Sequence, residues 1–186
     1  EGDTGNSYAS GDKLDLLLPE SQRKLLTAMV ETGKPVILIN MTGSAMDLRY
    51  AQKHCAAVLQ AWYPGARGGR VIADLLLGEL SSGKLPVTFY QDTESLPAFE
   101  DYSMEGRTYR YIKEEPLYPF GYGLTYGDIR MQSVTLEGKT VEAGSTVEVA
   151  ENGFTEVEVF VENRGEKAAE EVVQVYIHAE ESENAT

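Results

Sequence analysis

The stretch VLQAWYPGARGGRVIADLLLGELSSGKLPVTF, Val58 to Phe89, decides the fold. Val58 to Tyr63 is short and apolar, as a strand covered on both faces is. Pro64-Gly65 stops it. Gly65, Gly68 and Gly69 allow a sharp turn and a close backbone approach. From Arg70 to Leu80, Val71, Ile72, Leu75 and Leu76 recur at helical spacing. Gly78 and Ser81-Ser82-Gly83 close that helix, and Leu85-Pro86-Val87-Thr88-Phe89 reads as a further strand. A glycine turn between strand and helix is a place where α/β proteins bind anions. The spacing here is G-x-x-G-G, which matches neither G-x-G-x-x-G nor G-x-x-x-x-G-K-[ST]. The glycines therefore read as packing residues, with a nucleotide-binding domain the weakest alternative.

Working outward, Pro19 and Glu20 suit the first turn of a helix. Leu25, Leu26, Met29 and Val30 mark one face of it to about Thr32, and Gly33 ends it. Pro35 to Met41 is apolar and β-branched, a second buried strand, and Thr42-Gly43-Ser44 turns the chain. A short helix is expected over Met46 to Lys53. Alternation of helices with wholly apolar strands predicts an α/β fold, a mostly parallel sheet covered by helices on both faces. Ligands of such sheets sit beyond the carboxyl ends of the strands, which makes the loops after Met41 and Tyr63 the candidate rim.

Between Tyr90 and Thr125 the periodicity fades. Thr108 to Ile112 is expected as a short strand, and Pro116 to Leu124 as an irregular aromatic connection. From Ile129 the period becomes two: Val134 and Leu136, Val147 and Val149, then Val157, Val159 and Val161, then Val173, Val175 and Ile177. Turns fall at Gly138, Gly144, Asn152-Gly153 and Asn163-Arg164-Gly165. This is the pattern of an antiparallel β-sandwich with only four of about seven strands. The expectation is a fragment: an α/β domain over residues 1–125 and a truncated β-sandwich over 126–186.

Thirty acidic against sixteen basic residues give a net charge of −14. That argues against nucleic acid and anionic membrane surfaces, which need basic patches. No run approaches the roughly 18 apolar residues of a membrane span, and no signal-peptide pattern is read within this sequence. Cys55 is the single cysteine, so no internal disulfide can form. It reads as a packing residue, and a cytoplasmic setting is expected, with secretion left open. His54 and His178 stand far apart without ligand-like neighbours, so neither metal nor cofactor is expected. Ser44 lacks a G-x-S-x-G context. Asn184-Ala185-Thr186 has the glycosylation pattern.

Several motifs coincide in order: LLLPESQRKLL, KPVILINMTGSAMDL, AWYPGARGGRVIADLLLGELSSGKLPVTF, GRTYRY and PLYPFGYGLTY. Together they resemble the carboxyl-terminal part of glycoside hydrolase family 3, over nearly the whole chain. The tail from Ile129 is similar to that family's fibronectin type III-like domain. The resemblance implies an exo-acting, retaining β-glycosidase acting on terminal glucosyl or xylosyl residues of β-linked oligosaccharides and glycosides. It implies a partner domain in the same polypeptide, a (β/α)₈ barrel that carries an aspartate nucleophile. Self-association stays open. In many members this α/β domain supplies a glutamate acid/base on a loop ahead of an L-x-L-P stretch, a role that falls here on Glu1. Lys13 stands where many members have Arg, and an insertion separates Glu1 from Asp12, which reads as a structural partner of the loop. A non-catalytic sugar-binding or assembly module on the same fold is the alternative.

Retaining hydrolysis needs two carboxyl groups about 5–5.5 Å apart. The acid must be held protonated by burial or a neighbouring anion. In the polar loop 1–13 that requires closure against another domain, so the chain alone is expected to be inactive. Aromatic faces bracket sugar rings, which makes Trp62, Tyr63 and Tyr109 the substrate-binding candidates, with Tyr122 behind them. Arg67 and Arg70 are candidates for sugar hydroxyls or for bracing the helix.

Overall fold

The computed structural model describes residues 15–147 and 154–176. Helix α1 runs Glu20–Glu31, with Pro19 at its N-cap. The fixed φ of Pro19 suits this position, and its carbonyl accepts the N–H groups of Gln22 and Arg23 at 2.9 and 3.0 Å. Glu20 and Lys24 form an exposed i,i+4 pair at 2.6 Å, worth a few tenths of a kcal/mol. Thr32 closes the last turn by donating from Oγ1 to the Met29 carbonyl at 2.7 Å. Gly33, at φ +72°, then turns the chain away.

Strands β1 (Ile37–Asn40) and β2 (Ala57–Gln60) pair in parallel, Ile37 opposite Ala57 and Asn40 opposite Gln60. The crossover carries helix α2 (Arg49–His54). Arg49 braces this crossover through Asp47 at 2.7 Å and Asp92 at 3.0 Å. Leu18, Leu26, Met46, Leu48, Ala51, Phe89 and Leu117 form the buried cluster, with Val30, Val36, Leu38 and Val58 packed against it. Alternate residues of β1 thus face the core, whereas Ile37 and Met41 are exposed. Among the described residues the parallel sheet has these two strands.

Helix α3 (Gly68–Leu76) begins two residues earlier and ends four residues sooner than its apolar spacing predicts. Leu85–Phe89 is not a parallel strand. It faces Tyr118–Tyr122 in the opposite sense, with N–H donation from Leu85 to Tyr122, Gly121 to Leu85, and both ways between Phe89 and Tyr118. Pro86 removes one ladder donor, which confines the pairing to its two ends. Thr108–Tyr111 is a four-residue helix, α4, rather than a strand. The preceding turn explains it. Gly106 and Thr108 both have positive φ, +71° and +56°, and the Thr108 N–H is held by the Tyr90 hydroxyl at 2.7 Å. Extended backbone cannot start from that geometry.

The described residues fall into two units, 15–73 with 85–122 and Tyr176, and 74–84 with 123–147 and 154–175. The second holds an antiparallel sheet in the order β4-β3-β5, formed by β3 (Ile129–Leu136), β4 (Lys139–Val141) and β5 (Val157–Asn163). Glu137 and Gly138 join β3 to β4 with φ of +48° and +71°, the two positive φ values of a type I′ hairpin. A bulge interrupts β3 between Met131 and Ser133. Residues 173–176 form no ladder. Val149, Asn152-Gly153, Ile177, His178 and the Asn184 glycosylation pattern lie outside the described residues. Within this unit Lys84 donates to the Gly123 carbonyl at 2.6 Å and pairs with Glu171 at 3.1 Å.

Candidate functional site

The carboxyl ends of β1 and β2 lie side by side, and the polar residues that finish them are tied together. Asn40, only 4% exposed, donates from Nδ2 to the Gln60 side-chain carbonyl at 2.6 Å and to the Thr42 hydroxyl at 3.1 Å. Gln60 donates from Nε2 to the Thr42 carbonyl at 2.8 Å. Thr42 donates to the Ser44 carbonyl at 2.9 Å. The Ala61 N–H bonds the Asn40 carbonyl at 2.9 Å, which extends the parallel pairing past β2. Buried amides and hydroxyls are costly unless paired. Here each named group has a partner, so the network fixes the loop 40–44 against the end of β2.

Beyond this base the chain leaves β2 through Trp62, whose φ of +52° is the left-handed region. A non-glycine residue there costs about 1–3 kcal/mol. The Trp62 ring is half-buried and meets Phe89 edge to face, centroids 6.4 Å apart. The same backbone turn sends Tyr63 outward, 70% exposed, with its ring against Gly43: a Cβ on Gly43 would stand 2.5 Å from Tyr63 Cε2. Trp62, Tyr63 and the 40–44 loop are therefore one assembly. Tyr109 belongs to another: it stacks on Phe120 at 4.7 Å and meets Tyr176 edge to face at 5.9 Å. Tyr122 stacks on Tyr118 at 5.0 Å, and burial, with the neighbouring Tyr122, pushes the Tyr118 hydroxyl's pKa up.

The glycine turn serves packing. Gly65 takes φ +68°, and Gly68 is buried against Pro64, where a Cβ would come 2.7 Å from Cγ. Arg67 is exposed, and its carbonyl accepts the N–H groups of Arg70 and Val71 at the start of α3. His54 ends α2 with its ring 4.5 Å from Tyr50. Burial pushes the Cys55 thiol up, against thiolate chemistry. Glu1 and Asp12 lie outside the described residues. Among the described residues no His, Cys, Asp or Glu cluster could hold a metal, and no helix is long and apolar enough to cross a membrane.

The Asn40, Thr42 and Gln60 network was not foreseen from the sequence. Its one signal is a polar residue at the end of an otherwise apolar strand, ILIN. Amides and hydroxyls that satisfy one another offer neither a nucleophile nor a general acid. The rim can position a ligand, but it supplies no proton-transfer group of its own.

A parallel pair with polar and aromatic side chains gathered at its carboxyl ends defines the class, an α/β domain with a candidate site where such sheets bind ligands. Residues 1–126 match the family model described as glycosyl hydrolase family 3 C-terminal domain; the chain belongs to that family. It is 43% identical over 171 residues to a xylan 1,4-β-xylosidase of Xylanibacter ruminicola, covering 91% of this chain and 19% of that protein. It is 33% identical over 186 residues to a periplasmic β-glucosidase of Salmonella typhimurium, covering 93% and 23%. Among solved structures, a β-glucosidase from Erythrobacter marinus superposes with a TM-score of 0.67 at 30% identity, over 87% of this chain and 21% of that one. The chain thus spans about a fifth of the length of these relatives.

Proposed function

We propose that this chain is the acid/base side of a retaining, exo-acting β-glycosidase that releases terminal non-reducing β-D-glucosyl or β-xylosyl residues. The observation that carries the reading is the 43% identity to a β-xylosidase over 91% of the chain. Similarity to a β-glucosidase over 93% of it keeps glucose alongside xylose. Residues 1–125 act as the α/β sandwich, with further strands and a helical layer on each face of the sheet. Residues 126–186 belong to a fibronectin type III-like domain.

In this mechanism Glu1 protonates the glycosidic oxygen as the leaving group departs. A carboxylate of another domain of the same polypeptide attacks the anomeric carbon and forms the glycosyl-enzyme. Glu1 then takes a proton from water, which attacks the anomeric carbon and frees the sugar. Trp62 and Tyr63 contribute apolar faces to the sugar beyond the scissile bond, with Tyr109 a second contact. The chain by itself lacks the nucleophile and is inactive.

The test is Glu1→Ala in the full-length enzyme. Hydrolysis of aryl glycosides with poor leaving groups falls most, on the order of 100-fold or more for loss of a general acid. Azide partly restores turnover of good leaving groups, because it needs no general-base help. Undiminished hydrolysis of a poor leaving group removes Glu1 from the role and favours a non-catalytic module.

A further inference from the structure

Loop 98–107 is braced by polar bonds and presents an exposed aromatic ring. The Asp101 N–H bonds the Ala98 carbonyl at 3.0 Å, and the Arg107 N–H bonds the Met104 carbonyl at 3.0 Å. The Asp101 carboxylate accepts the Ser103 N–H at 2.9 Å. Arg107 donates from Nη2 to the carbonyls of Ala98 and Asp101, at 2.6 and 3.1 Å, charge-assisted bonds that close the loop. Met104 and Thr108 stand at φ of +66° and +56°. Non-glycine residues in that region cost about 1–3 kcal/mol each and gather at ligand-contacting segments. At the centre of the loop, Tyr102 is 83% exposed. The loop's two ends place it beside the rim. The Thr108 N–H is held by the Tyr90 hydroxyl at 2.7 Å, and Tyr90 follows Phe89, whose ring meets Trp62. Upstream, Asp92 pairs at 3.0 Å with Arg49, where the chain enters α2 after the carboxyl end of β1. The loop thus stands on the side of the sheet where α/β proteins bind ligands.

We propose that Tyr102 is the platform of an outer sugar subsite, holding the second unit beyond the cleaved bond of a β-linked oligosaccharide, an assignment that rests on the glycosidase reading above. The residues around Tyr102 select that occupant. Glu100, Asp101, Ser103 and Glu105 flank it and are all exposed. The cores of protein interfaces are depleted of charge, so this surface fits neither another domain nor a second copy. A single aromatic face among oxygen acceptors fits a neutral carbohydrate: the ring covers the C–H surface of a sugar, and the oxygens orient it through its hydroxyls. The Ser103 N–H, with Arg107 nearby, holds the Asp101 carboxyl below its ordinary pKa, so it remains an acceptor at neutral pH. An exo-acting enzyme encloses the terminal sugar. An exposed ring is therefore left for units on the leaving-group side, outside the one that Trp62 and Tyr63 meet.

The test is steady-state kinetics of Tyr102→Ala and Tyr102→Phe in the full-length enzyme, on β-1,4-linked di- and trisaccharides of xylose and of glucose. For the trisaccharide that the parent cleaves, Tyr102→Ala is expected to lose on the order of 10-fold in kcat/KM, mostly through KM. The matching disaccharide, which does not reach the platform, keeps its kcat/KM within about 2-fold. Tyr102→Phe retains the ring and is expected to behave as the parent on both. Equal losses on both chain lengths, or a lowered urea midpoint in Tyr102→Ala, overturn the proposal in favour of a ring that packs against another domain. If the parent cleaves both substrates and Tyr102→Ala does so equally well, the platform alone is refuted and the glycosidase reading stands. If the parent cleaves none of them, the glycosidase reading fails and the platform with it.

Discussion

The ring of Tyr63 lies on Gly43, so close that a Cβ there would stand 2.8 Å from both Cζ and the hydroxyl oxygen. The atoms in the way are the free end of an exposed ring, which can swing aside. Gly43→Ala is expected to change stability by less than about 1 kcal/mol while displacing Tyr63. Gly68 presents the same collision with a different neighbour, the ring of Pro64, which cannot swing. Overpacking there costs about 1–3 kcal/mol, against about 1 kcal/mol gained from helix propensity, so Gly68→Ala destabilises. Urea midpoints distinguish the two variants. If Tyr63 meets substrate, Gly43→Ala in the full-length enzyme raises KM with little change in kcat.

Asn40 holds the ends of two strands through one amide. Removing it in Asn40→Leu leaves the Gln60 carbonyl without its 2.6 Å donor, a loss of about 1–3 kcal/mol for an orphaned, part-buried acceptor. Removing both partners in Asn40→Leu/Gln60→Leu takes away the orphan as well. The double variant should therefore be more stable than the sum of the single changes predicts, with a coupling of about 0.5–3 kcal/mol. Chemical denaturation of the four proteins measures it; strict additivity shows that the contact carries no weight.

The elements legible in the sequence are those whose signals are local. Pro19 and Gly33 bracket α1 because one fixes φ and the other reaches positive φ, and neither property needs tertiary context. Ile37–Asn40 and Ala57–Gln60 are apolar for the same local reason. Thr108–Tyr111 misleads because its β-branched and aromatic residues favour a strand, whereas the Tyr90 hydroxyl, eighteen residues earlier, holds its first N–H. Leu85–Phe89 misleads similarly: its composition is that of a strand, but its partner and sense are set by Tyr118 and Tyr122. The carboxyl ends of the two parallel strands were legible as a location, since turns mark them. The Asn40, Thr42 and Gln60 network was not, because Asn40 and Gln60 meet only once the register of β1 on β2 exists.

Thr88 is buried, and its hydroxyl has no hydrogen-bond partner among the described residues. An unpaired buried hydroxyl costs roughly 1–3 kcal/mol of desolvation. Val has nearly the same shape without that group. Thr88→Val is expected to raise the stability of this chain by about 1 kcal/mol, read as a higher urea midpoint with an unchanged m-value. A fall in midpoint identifies a partner for the hydroxyl and refutes the assignment of Thr88 as an orphan.

Glu171 links acidity to the second unit's stability. Its carboxylate accepts the Val172 N–H at 3.0 Å and faces the Lys84 ammonium at 3.1 Å. The backbone bond, then Lys84, hold its pKa below the ordinary value of 4.5 against an opposing desolvation. A depressed folded-state pKa means that the unfolded chain takes up the proton first as pH falls. The stabilisation is therefore complete above 4.5 and is lost as pH drops through the lower folded value. Glu171→Gln should lower the denaturation midpoint near neutral pH and approach the parent protein as pH falls through the folded-state value below 4.5. Lys84→Met should give a similar loss at neutral pH and less convergence, because the Val172 bond still favours the carboxylate. A gap between parent and Glu171→Gln that stays constant as pH falls from neutral to well below 4.5 would mean that Glu171 acts through packing rather than charge.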